Sequence, residues 1–149
     1  MKPDADVMLA GFAGTMLMDI APQLGGEYTL GSVGIISMSM LMVAQEVDRA
    51  ADVRYQENAQ MRALFAEAAK LIDDKNLAGR LEAASRTKDE SLRVRALDSS
   101  NDALKKLLIE LQAVAEVSKA PWAAGLEGKI WDFLLGSVEA RRFVFPSLG

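Results

Sequence analysis

The chain has 149 residues, half of them hydrophobic and 26% charged, with a formal net charge of −4. That is the profile of a folded domain long enough to bury its own core, and it lacks the basic block that nucleic-acid binding needs. With no His and no Cys, it excludes thiol nucleophiles, disulfides, His-dependent triads and the usual zinc, copper, haem and Glu-x-x-His di-iron sites.

In chain order, Asp4 can cap a first helix over about residues 5–21, which Pro22 ends. The segment "MKPDADVMLAGFAGTMLMDIAP" has one Lys followed by two Asp. A secretory leader needs a positive start, so the expectation is the first helix of a cytoplasmic protein. Gly11 and Gly14 each lower helix propensity by about 1 kcal/mol relative to Ala, and close approach of a neighbouring helix would compensate. "PQLGGEY" then reads as a turn.

The second helix opens on "GSVGIISMSMLMVA", fourteen residues without a charge. Val33, Ile36, Met40, Val43, Val47 and Ala50 are spaced 3-4-3-4-3, a heptad seam, and Ile35, Met38, Leu41 and Met42 cover the opposite side. A helix apolar all round must be surrounded. Extended back to Tyr28, the uncharged run is roughly 26 Å of helix, at the short limit for a membrane span. Serines and glycines dilute it and charges follow, so the expectation is a central, buried, Met-rich helix and no membrane span.

The apolar pattern resumes at Met61, Leu64, Phe65, Ala68, Leu71 and Ile72, after a stutter whose turns carry Arg54, Glu57 and Asn58. One helix over about 30–73 with a polar middle and a helix kinked near Tyr55 are both compatible with this. A short helix comes next at about 77–85, then the polar loop "SRTKDE". Leu97, Asn101, Leu104, Leu108, Leu111, Ala115 and Ser118 form the next seam. Asn101 is either a polar register device on it or an exposed residue at a helix start capped by Ser99 or Ser100. Pro121 suits the first turn of a last helix carrying Trp122, Leu126, Ile130, Phe133, Leu134 and Val138. The tail "RRFVFPSLG" is apolar enough to dock, on its own bundle or on another protein. The expected fold is all-α: one domain over residues 1–149, a bundle of about five helices.

No catalytic motif stands out. Glu46, Arg49 and Asp52 form a polar patch in which Glu46–Arg49 and Arg49–Asp52 can pair along the helix. The plain use of this patch is a solvated face; a ligand-contacting or Mg²⁺-binding patch, with Glu46, Asp48 or Asp52 as acid, base or ligand, is the other. Arg80, Arg86, Lys88, Arg93 and Arg95 can receive a phosphate or an acidic partner, or simply flank a loop. All eight methionines lie in the first 61 residues. Met38, Met40 and Met42, with Val43, Val47, Gly11 and Gly14, are therefore the candidate interface or ligand residues; filling gaps in the core is the default use of such methionines.

The segments "DVMLAGFAGTMLMDIAPQL", "SVGIISMSMLMVAQEVDRA" and "KDESLRVRALDSSNDALKKLL" give a layout that resembles a family of small, uncharacterised bacterial helical proteins. Members are often encoded near phosphotransferase-like and acyl-CoA dehydrogenase-like genes. The likeness is one of helix order and apolar pattern. It implies a bacterial accessory protein and assigns no catalytic residue. The leading functional expectation is a non-catalytic helical accessory or interaction protein, without cofactor or metal, forming a homodimer through its first two helices. The alternative is a binding protein for an apolar or acyl-type small molecule held between helices.

Overall fold

A computed structural model describes residues 2–144. As the periodicity implies, the fold is all-α, with five α-helices and no strand among the described residues. Helix α1 spans Ala5–Thr15 and runs on through a π turn, Met16–Ile20, and a 3-10 turn, Ala21–Gln23. Asp4 stands at its N-cap position without a side-chain capping bond and pairs with Lys2 instead. The break to α2 is made by Leu24–Gly26. Gly26 has φ +103°, a left-handed conformation that a side chain would strain.

Helix α2 is one element, Glu27–Ala68. After it come α3, Lys75–Ser85, α4, Val94–Val117, and α5, Ala123–Ala140. The side chain of Asp74 caps α3 by accepting from the backbone N–H groups of Asn76 and Leu77, at 2.8 and 3.1 Å. The seam read for α4 is buried at Leu97, Asn101, Leu104, Leu108, Leu111 and Ala115. The helix begins five residues before Ser99, which disposes of the capping role for Ser99 or Ser100.

The residues group into two compact units: those up to Ala50 with Phe143 and Val144, and Ala51–Arg142. The second has a conventional core. Met61, Phe65, Leu81, Leu111 and Ile130 are fully buried there, and Leu77, Leu108, Leu126 and Phe133 nearly so. Each such side chain contributes about 1.5–3 kcal/mol. Trp122 and Leu134 pack against the same cluster. The apolar seams of α3, α4 and α5 are therefore spent on one another and on the end of α2.

The first unit is built the other way round. Its buried residues are Ala13, Val33, Ser37, Ala44 and Ala50, nearly all small. The large apolar side chains stay outside, including Tyr28 (96% exposed), Met18 (76%) and Ile35 (71%). The expectation that residues 31–44 are surrounded by the chain's own core is thus not met. Of the proposed seam, Val33 and Ala50 are buried, but Ile36, Val43 and Val47 are exposed. Phe143 and Val144 do dock, as expected of the tail. The Gln45 side chain donates to the Val144 carbonyl at 2.6 Å and accepts its N–H at 3.0 Å, and the Arg49 guanidinium stacks over the Phe143 ring at 5.2 Å. The rest of "RRFVFPSLG", residues 145–149, lies outside the described residues.

Candidate functional site

Two features are unusual enough to be functional: a buried polar network in the second unit and the apolar surface of the first.

The network starts where the seam of α2 turns polar. Glu57 and Asn58 are buried, 3% and 0% exposed. Arg141, near the end of α5, clamps the Glu57 carboxylate through Nε and Nη2 at 2.8 and 2.7 Å. The Ser137 hydroxyl donates to it at 2.6 Å, and Lys105 lies 3.5 Å away. Asn101 of α4 uses both amide hydrogens, one to Glu57 Oε2 and one to Asn58 Oδ1, each at 2.9 Å. Asn58 in turn donates to Asp89 at 3.1 Å and to the Leu97 carbonyl at 3.3 Å. Arg62 closes the chain with a fork onto Asp89 at 2.7 and 2.8 Å and a bond to Thr87 at 3.0 Å. Arg54 pairs with Asp98 beside it.

Burial by itself would raise the Glu57 pKa, yet the bonds from Arg141 and Ser137 and the charge of Lys105 bring it down to about 2. Arg62's hydrogen bonds hold the Asp89 carboxyl below the usual range despite its burial, and Asp89 raises Arg62 in return. A group whose pKa is depressed by folding stabilises the fold above its unfolded value and loses that contribution as pH falls through the folded value. Acid titration of the full chain should therefore leave stability unchanged from neutral pH to about 5. It should then remove about 2 kcal/mol between about pH 4.5 and pH 2, allowing for solvent around the partly exposed Arg141 and Lys105 ends. Denaturation midpoints at a series of pH values measure this. A flat profile down to pH 2.5 would show that Glu57 is not held as described.

Both carboxylates are ionised at neutral pH and their lone pairs are taken up by internal donors. The arrangement ties α2, α4, α5 and the loop after α3 together. Its outer end is reached from solvent, where Arg62 and Asp89 line an open depression with Tyr55, Ala59, Thr87 and Lys88. Among the described residues no three carboxylates converge. Of the patch read from sequence, Glu46 and Arg49 are half-buried and Asp48 and Asp52 exposed. The polar centre lies further along α2, at Glu57, Asn58 and Arg62. Of the basic cluster, Arg80 pairs with Glu110 and Arg86 with Glu82. Lys88 lines an open depression with Thr87, Ser91, Ser99 and Ser100.

The second feature is the apolar surface. Ala5–Gln23 and Glu27–Ala68 each contain an 18-residue window apolar enough to cross a membrane by length and composition. Only 6% and 17% of those windows are buried in the chain. Met38, Val43 and Val47 are exposed, and Met40 and Met42 half-buried. Gly11 is exposed and Gly14 half-buried, and a Cβ added at either would meet nothing within 4 Å. The close helix approach expected at these glycines is not made within the chain. A depression here is lined by Glu27, Tyr28, Gly31, Ser32 and Ile35 and lies before Met38 on α2.

Comparison with known proteins gives no family. No family model, curated protein or solved structure matches the chain.

Proposed function

We propose that this is a non-catalytic helical accessory protein of a bacterium, attached to its site of action through the apolar surface of its first two helices. The observation that carries this reading is the inversion of the first unit, with small side chains in and large apolar ones out. Water-exposed apolar patches of this extent are uncommon on soluble monomers and mark contact surfaces. The second unit supports the non-catalytic part, because its buried carboxylates are saturated by Arg141, Asn101, Ser137 and Arg62. The alternative, an apolar ligand held between helices, needs a cavity beside Met38 and Met42, whereas the depression at Tyr28 and Ile35 is open and is not lined by either methionine.

A photocrosslinking residue at position 35, introduced into the full chain in living cells, tests the attachment reading. Adducts to another molecule, lipid or a second copy, are expected at 35. A photocrosslinker at exposed Ile109 of α4 serves as the control and should give none. Equal, background labelling at both positions would overturn the proposal.

A further inference from the structure

We infer that the occupant of this apolar surface is a lipid bilayer, crossed by Ala5–Gln23 and the first part of α2 with both outer ends on the cytoplasmic side. This rests on the attachment reading and names its partner.

The distribution of side chains around α2 separates a bilayer from a second copy of the chain. At 3.6 residues per turn, the buried Val33, Ser37 and Ala44 fall within an arc of about 40°. The exposed Leu30, Ile35, Ile36, Met38 and Val43 are spread over about 240° of the remaining circumference. A partner helix covers one stripe, so a dimer would leave most of that arc in water. Hydrocarbon covers all of it. The interior is also what helices in lipid use, since small residues there let backbones approach where no hydrophobic drive holds them together.

Length agrees. No charge occurs between Glu27 and Glu46, a stretch of about 27 Å against a hydrocarbon core of about 30 Å. The uncharged part of the first helix, between Asp6 and Asp19, is about 18 Å long, so its crossing requires local thinning of the bilayer around Ala5–Gln23.

The serine hydroxyls in the run are satisfied without water. The hydroxyls of Ser32, Ser37 and Ser39 donate to the carbonyls of Tyr28, Val33 and Ile35, four residues back, at 3.0, 2.8 and 2.8 Å. An unsatisfied hydroxyl in hydrocarbon would cost several kcal/mol, and this bond removes the cost at Ser32 and Ser39, which face outward, and at the buried Ser37.

Orientation comes from the basic residues. From Pro3 to Asp48 the chain has no Lys or Arg; Lys2 precedes this stretch, and Arg49 and Arg54 lie after it. Cationic flanks remain in the cytoplasm, and the part that translocates is the turn without Lys or Arg, whose edges carry only the acidic Asp19 and Glu27. Tyr28, beside the turn and 96% exposed, suits the headgroup level.

The natural absence of cysteine makes the test clean. Two single-cysteine variants of the full chain, Gly25→Cys in the turn and Ser99→Cys in α4, are expressed in a bacterium with a permeable outer membrane. Their membranes are washed with alkaline carbonate. The expected result is retention of the chain in the washed membrane. A membrane-impermeant maleimide added to intact cells should label Gly25→Cys at least tenfold more than Ser99→Cys, with equal labelling after lysis. Retention with labelling confined to Ser99→Cys would overturn the orientation. A soluble chain with neither cysteine labelled in intact cells would overturn the bilayer inference. If that soluble chain is a dimer by light scattering, the attachment reading survives with a second copy as the occupant. If it is a monomer, both readings fall.

Discussion

Replacing Glu57 with Leu should destabilise the Ala51–Arg142 unit by about 2–4 kcal/mol, the cost of leaving buried donors without their acceptor beside a part-exposed Arg141. The substitution fits the space but leaves Arg141, Ser137 and one amide hydrogen of Asn101 facing an apolar group. Removing the carboxylate alone with Glu57→Gln should cost less, about 1.5–3 kcal/mol, since an amide oxygen still accepts from Ser137 while the charge opposite Arg141 is lost. Both tryptophans, Trp122 and Trp131, lie in this unit, so denaturant unfolding followed by their fluorescence reports on it directly. If Glu57→Leu matched the parent midpoint, the network would contribute nothing net, as happens when a buried pair is exchanged for apolar packing that suits the site.

The second large effect concerns Ile36, near the middle of the uncharged run and 46% exposed. Ile36→Arg should lower the membrane-retained fraction sharply, because Arg at the centre of a membrane helix costs about 2.5–3.5 kcal/mol on insertion scales. On a water-facing helix the same change costs within about 0.5 kcal/mol. Ile109→Arg in α4, at a position 66% exposed, provides that comparison and should leave both retention and stability unchanged. Quantifying the carbonate-resistant fraction of each variant decides the matter. Equal behaviour of the two would mean that Ile36 faces water.

The order and type of the helices were legible because they depend on local periodicity. Leu104, Leu108, Leu111 and Ala115 keep one face of α4 apolar in any tertiary setting, and Asp74 can cap α3 from its own chain neighbourhood. Asn101 was visible as a polar intruder on that face, though not with its partners. Glu57 was harder to recognise. Between Ala50 and Met61 the 4-3-4 spacing continues through Arg54 and Glu57, yet polar residues at seam positions read as an interruption of a hydrophobic pattern. They become the interior only because Arg141 and Ser137 arrive from more than 75 residues away to neutralise them. No local signal announces such a long-range pairing. The first unit turns on the same distinction. Residue types alone require that 31–44 leave water, and the transfer free energy of the side chains is the reason. Which sides of the helix are covered depends on what remains available to pack against. The tertiary structure commits α3, α4 and α5 to the core around Phe65 and Leu111, and Ile35, Ile36 and Val47 of the first unit are exposed.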